Sequence, residues 1–335
     1  MSAYFVVIIL TALVFDYING FHDSANSIAT VVSTRVLSPR AAVVWAAAFN
    51  FIAFLLFEPH VSANIAKGVS ASAISYNVIF ATLLGAIIWN LLTWWWGLPS
   101  SSSHALMGAF AGAALTHTPN WRILDPQVFG KTLLFIVVAP MLGLFIGFLL
   151  MTLVRAVFRN QRPRNVDRIF RRGQIVSAAL YSLGHGGNDA QKTMGIITLL
   201  LITARVQERT AHPKPLLWVV LACHAAMGLG TLSGGWRIVK TMGMKITKLK
   251  PVGGFCAETS GAITLAMATF WGVPVSTTHT ITGSIVGVGS AEGRLSAVRW
   301  GVAGRIVWAW ILTIPAAGAV ASLSYLLIRL VSGNA

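Results

Sequence analysis

Acidic side chains are scarce: nine Asp and Glu stand against 25 Lys and Arg in a chain of 335 residues. Charge of either sign makes up only 10% of the residues, where a soluble domain carries about 25%. With 56% of the side chains apolar, a soluble chain of this length has too little polar surface to cover its interior. Lipid is the solvent that such a composition requires, each spanning helix taking roughly 20 apolar residues. Cysteine is almost missing as well. Cys223 and Cys256 lie in or beside apolar runs and match no metal-ligand spacing, so a disulfide framework is not implied. Zinc-type spacings and a phosphate loop are absent too, which argues against a membrane-embedded enzyme; no catalytic residue and no cofactor is expected.

What is abundant is positive charge, and its placement decides its meaning. The cations gather in four connecting segments: Arg35 and Arg40; Arg155, Arg159, Arg162, Arg164, Arg168, Arg171 and Arg172; Arg237, Lys240, Lys245, Lys248 and Lys250; Arg294, Arg299 and Arg305. Short loops rich in Lys and Arg stay on the cytoplasmic side, with anionic lipid headgroups as neighbours. The net charge of +16 is therefore a topology signal and not the footprint of a nucleic-acid partner. With the N-terminus outside, all four segments fall inside a cytoplasmic membrane and both termini lie outside. The apolar start, Met1 to Val14, lacks a basic leader and a small-residue cleavage site and is expected to be part of the first span.

The chain also repeats itself. Gly97-Leu98-Pro99-Ser100-Ser101-Ser102-Ser103-His104 returns as Gly272-Val273-Pro274-Val275-Ser276-Thr277-Thr278-His279, and Gly108 and Gly112 return as Gly283 and Gly287. Gly20-Phe21-His22-Asp23 is echoed by Gly186-Gly187-Asn188-Asp189 in the same order. Several apolar runs are too short to cross alone and come in pairs broken by Gly, Asn or Pro. The expected architecture is all-α: a first transmembrane repeat over 1–157, a short basic linker over 158–173 and a second repeat over 174–335, inverted because each half makes an odd number of crossings. About eight long spans are expected, with broken helices and re-entrant pairs. Inverted repeats with interrupted helices in matching places imply a secondary transporter with a central site; a channel also uses re-entrant helices but fits two central carboxylates less well.

Four acids stand apart from the loops: Asp16, Asp23, Asp189 and Glu258. A carboxylate in a bilayer costs at least about 2.5 kcal/mol, so it faces a cavity or a partner. Asp23 and Asp189 hold equivalent places beside glycines and amides that are expected to interrupt a helix and free its backbone groups. Their oxygens suit a coupling cation, Na⁺ or H⁺, and Glu258 is a further candidate. Asn26, Gln191 and Lys192 can donate to an anion. Lys192 pairing with Asp189 is the plainer alternative. Ser101, Ser102 and Ser103, and Ser276, Thr277 and Thr278, follow prolines at two expected helix starts, where free N–H groups and a partial positive charge favour an oxyanion. Plain helix capping is again the alternative. Binding of a cation beside the carboxylates removes their repulsion of an anion, which yields symport.

Asp16-Tyr17-Ile18-Asn19-Gly20-Phe21-His22-Asp23-Ser24-Ala25-Asn26 and Gly186 to Gly195 resemble the two signature repeats of the inorganic phosphate transporter (PiT) family. Gly97 to His104, Gly272 to His279 and Trp236 to Gly243 resemble further elements of that family. The resemblance spans nearly the whole chain. It implies a dimeric phosphate permease of bacterial low-affinity type, driven by Na⁺ or H⁺ and able in some members to carry a neutral metal–phosphate complex. Asp23, Asn26, Asp189 and Gln191 would line the sites, completed by the two Ser/Thr turns, with Glu258 at a carboxylate position of the family. Asn50 stands where some members carry an acid. A symporter of another oxyanion such as sulfate is the alternative; carboxylate acceptors favour phosphate, which keeps a proton to donate.

Overall fold

The computed structural model describes residues 3–208, 210, 213–291 and 295–332. Among them the chain forms twelve α-helices joined by short turns: α1 (Ala3–Ser33), α2 (Pro39–Ile52), α3 (His60–Lys67), α4 (Tyr76–Trp96), α5 (Ser102–His117), α6 (Pro126–Phe158), α7 (Pro163–Thr203), α8 (Leu217–Ser233), α9 (Trp236–Lys240), α10 (Pro251–Phe270), α11 (Thr277–Ser290) and α12 (Trp300–Val331). Local chemistry sets many of the ends. Asp125 caps α6 by accepting from the amides of Gln127 and Val128, with Pro126 in the first turn. Ser75 caps α4, which Gly97 terminates at φ +65°, a left-handed conformation that costs glycine nothing. Ser101 and Ser276 cap α5 and α11, each accepting at 3.2 Å from the histidine amide three residues on.

Four helices, α1, α4, α6 and α12, are long and apolar enough to span a bilayer alone, and the bent pairs α2–α3 and α8–α9 raise that number to six. This is fewer than the eight long spans expected. The difference lies in α7 and α10, which have the length but bury hydroxyls, amides and charges against each other and against α1. The expected helix breaks at the Asp motifs do not occur. Both α1 and α7 run without interruption through Asp23 and Asp189. Their glycines serve close packing instead. A Cβ on Gly20 would meet the Met227 carbonyl oxygen of α8 at 2.1 Å, and one on Gly186 the Asn50 carbonyl oxygen of α2 at 2.4 Å. The real breaks fall between α2 and α3, bent by 81°, and between α8 and α9, bent by 59°.

The order of helices in α1–α6 recurs in α7–α12, and the two sets interlock. Gly108 and Gly112 of α5 press on the backbone of α12 at Ile314 and Gly318; Gly283 and Gly287 of α11 press on that of α6 at Pro140 and Leu144. Small residues one turn apart let helix backbones approach where lipid offers no hydrophobic drive. The basic segments converge on one end of the molecule. Arg171 donates to the Arg35 carbonyl, Arg155 to the Ala291 carbonyl, and the Arg299 amide to the Ile246 carbonyl. Arg294 and Arg209 lie outside the described residues. At the opposite end the start of α1 meets α4 and the end of α12, where Tyr4 donates to Asn77 beside Ile328 and Val331. The Arg-rich stretch from Arg155 to Arg172 is helical except at 159–162.

Candidate functional site

Asp16, Asn19, Asp23, Asn26 and Thr30 recur every three or four residues on α1 and so share one face of it. On α7 the same spacing aligns Gln174, Ser177, Tyr181, His185, Asp189 and Lys192. These faces meet. Thr34 donates to Gln174 at 2.9 Å, Ser27 lies 3.2 Å from His185, and Asp23 and Asp189 stand together near the middle. Partner numbers fall on α7 as they rise on α1, so the two helices run antiparallel. Burying the two polar stripes against each other is what lets them sit in an apolar bundle.

At the centre, one ligand atom each from Asp23, His185 and Asp189 lies within 4.8 Å of the others. Two carboxylates at that separation repel by roughly 3 kcal/mol at an effective dielectric constant of about 20. Lys192 answers one of them, donating to Asp189, to Ser103 and, at 3.0 Å, to the Val275 carbonyl. Thr277 donates to the other Asp189 oxygen at 2.9 Å, and His185 Nε2 lies 3.1 Å from it. Asp23 Oδ1 is 2.7 Å from His22, whose far nitrogen lies 3.1 Å from Thr93, and Thr278 reaches the same carboxylate oxygen at 3.5 Å. Asn26 donates to Thr277 at 3.2 Å and to Thr278 at 2.9 Å, and its own carbonyl oxygen makes no hydrogen bond among the described residues.

The short helices α5 and α11 thus point their N-termini at the two acids. Ser103 and Thr277 connect directly to the Asp189–Lys192 pair, and the buried Ser102 hydroxyl makes no hydrogen bond among the described residues. Ser101 and Ser276 are occupied as caps, so the plainer alternative accounts for those two. Each of these side chains is at most 3% exposed, so the site is shut from both ends.

Two expected residues stand elsewhere. Gln191 faces the α2–α3 corner, where its carboxamide accepts from the Val61 amide at 2.9 Å and donates to the Glu58 carbonyl at 3.0 Å. Glu258 forms a second cluster between α10, α1 and α7, accepting from Thr30 at 2.6 Å, Gln174 at 3.0 Å and Ser177. Thr30, Gln174 and Ser177 were not singled out in the sequence, and neither were Thr93 and Tyr181, which donates to the Thr277 carbonyl at 3.0 Å. For Thr30, Gln174, Ser177 and Tyr181 the stripe spacing was the available signal; Thr93, on α4, had none.

The sequence profile of the phosphate transporter family matches residues 19–321. A protein of Rhizobium meliloti described as a probable low-affinity inorganic phosphate transporter is 55% identical over 98% of this chain and 97% of its own. One of the same description from Bacillus subtilis is 44% identical over 97% of both chains. A solved structure described as the sodium-dependent phosphate transporter shares the fold, with a TM-score of 0.88, 24% identity and coverage of 98% of this chain and 100% of that one. An all-helical chain with paired acids, a buried lysine and two hydroxyl-bearing helix starts at its centre, matched from end to end by such relatives, belongs to the phosphate transporter family.

Proposed function

We propose that this protein imports inorganic phosphate across a bacterial cytoplasmic membrane by symport with a cation, Na⁺ or H⁺. The observation that carries the reading is the charge balance of the closed site: two carboxylates, Asp23 and Asp189, against one ammonium, Lys192. An incoming anion meets surplus negative charge until a cation joins it, so the two bind together. Phosphate would take donors from Lys192, Asn26, Ser102, Ser103, Thr277 and Thr278, and the N-termini of α5 and α11 would add partial positive charge. Gln191 then acts on α3 and not on the anion. Asp23 and Asp189 would hold the central cation, with Glu258 as a further station. The comparisons lend no support to sulfate. The solved relative is described as sodium-dependent, which makes Na⁺ the first ion to test; a metal–phosphate complex is a second form of the same cargo.

The same reading treats 1–157 and 174–335 as inverted repeats joined by the basic stretch, supported by the recurring helix order and the antiparallel course of α1 and α7. Both termini then lie outside, opposite the basic end. A homodimer is part of the reading on the family resemblance alone. Radiolabelled phosphate uptake into proteoliposomes, under a Na⁺ gradient and separately under a pH gradient, tests it. Stimulation by one gradient assigns the ion; no uptake under either removes symport.

A further inference from the structure

Two turns before Asp23, on the same face of α1, lies a third acid that the central site does not use. Asp16 is fully buried, as are Asn19 beside it and Thr193 opposite it on α7. The Asn19 amide reaches Asp16 Oδ1 at 3.5 Å. The second carboxylate oxygen, the Asn19 carbonyl oxygen and the Thr193 hydroxyl make no hydrogen bond among the described residues. Thr193 from α7 and Cys223 from α8 face the carboxylate, and the charged group that acts on it is the carboxylate of Asp189, of like sign. A buried polar group without a partner is costly, and a carboxylate more so than any other. Here the Asp16 carboxylate and the Thr193 hydroxyl face each other from two helices without closing a hydrogen bond, and the Asn19 carbonyl oxygen beside them makes none among the described residues.

We propose that Asp16, Asn19 and Thr193 form a separate monovalent-cation site, about 10 Å from Asp23 along α1. The oxygens at this point match what such a cation supplies. Na⁺ takes the Asp16 carboxylate and the Thr193 hydroxyl as hard oxygen ligands, and rotation of the Asn19 carboxamide brings its carbonyl oxygen in as a third. A proton converts Asp16 into a donor that the Asn19 carbonyl or the Thr193 hydroxyl accepts. The position strengthens the assignment. Glu258 lies beyond Asp23 toward the basic end, and Asp16 lies on the other side, so three carboxylate stations follow one another along the α1–α7 interface. In the orientation proposed above, Asp16 is the outer station, the first to load from outside. This inference rests on the symport reading.

The test separates the two. Wild-type protein and the variant Asp16→Asn are reconstituted, and two rates are read: exchange of labelled phosphate at equal concentrations on both sides, and uptake driven by a Na⁺ or a pH gradient. The site predicts that driven uptake falls at least about tenfold more than exchange does. Equal losses, or none, overturn it. No exchange by wild type sinks the symport reading instead. If Asp16→Asn does not insert, Thr193→Val, which keeps every charge, takes its place. It is expected to shift the half-saturating concentration of the driving cation at least threefold, and an unchanged value overturns the site. The gradient that responds identifies the ion.

Discussion

Asn26 in the first half and Lys192 in the second each stand three residues after the motif aspartate, and each reaches across to the other half. Asn26 on α1 holds Thr277 and Thr278 at the start of α11; Lys192 on α7 holds Ser103 at the start of α5. The scaffold is thus matched while the charge is not. Asp23 keeps the company of a histidine and a neutral amide, whereas Asp189 is tied to an ammonium. In the proposed function, a symmetric cradle with all of its positive charge on one side would give the oxyanion a preferred end. It also leaves the Asp23 side short of positive charge, which is where the proposed coupling cation would complete the balance.

The largest expected effect comes from erasing that difference. Lys192→Asn makes the second half like the first and leaves Asp189 buried without its partner, a loss of roughly 3–5 kcal/mol for a broken buried pair. Phosphate uptake in proteoliposomes should fall about 100-fold or more, and uptake within threefold of wild type would break the comparison. Next come the aspartates themselves. Asp23→Asn and Asp189→Asn should both lose gradient-driven uptake. Asp189→Asn should lose about tenfold more, ~1.4 kcal/mol, because it strands the Lys192 ammonium whereas Asp23 has no Lys or Arg partner to strand among the described residues. Equal losses would mean that Lys192 does not distinguish the halves.

A smaller effect is expected at the bent corners, which also differ between the halves. The α2–α3 corner is held by both ends of the Gln191 carboxamide and by Asn64, which donates to the Gly272 carbonyl at 2.7 Å. The α8–α9 corner is held by Ser24, which accepts from the Gly235 amide, and by Thr241, which donates to the Gly97 carbonyl at 3.0 Å. Gln191→Ala should therefore speed hydrogen exchange at the Val61 amide about fivefold, the equivalent of ~1 kcal/mol. It should change the half-saturating phosphate concentration less than about threefold. A large change in half-saturation with unaltered exchange would return Gln191 to the substrate.

Why some of these residues were legible in the sequence and others were not follows from what each depends on. Ser101 and Ser276 were readable as helix starts because a cap needs only its own next three residues. Asp23, Asp189 and Lys192 stood out because charge is rare in apolar runs. Gly20 and Gly186 were misread as breaks, since a glycine can loosen a helix or admit a neighbour, and only the carbonyl oxygens of Met227 and Asn50 at its surface decide which. Gln191 was drawn to the site by its neighbours in the chain, yet it projects from α7 toward α3. Around Glu258, the hydroxyls of Thr30 and Ser177 come from helices remote in sequence and carry no mark of their own.

The amino-acid sequence was enough to show that the chain lives in lipid, that its Ser/Thr-rich and Asp-bearing motifs each occur twice, where the short helices begin and which acids are out of place. Composition, periodicity and capping are local properties, and each acts within a few residues. Which polar stripe faces which, where the helices bend, and the joining of Asp23 to Asp189 in one closed site were decided by the tertiary structure alone. The apposition of α1 and α7 is set by the packing of every helix around them.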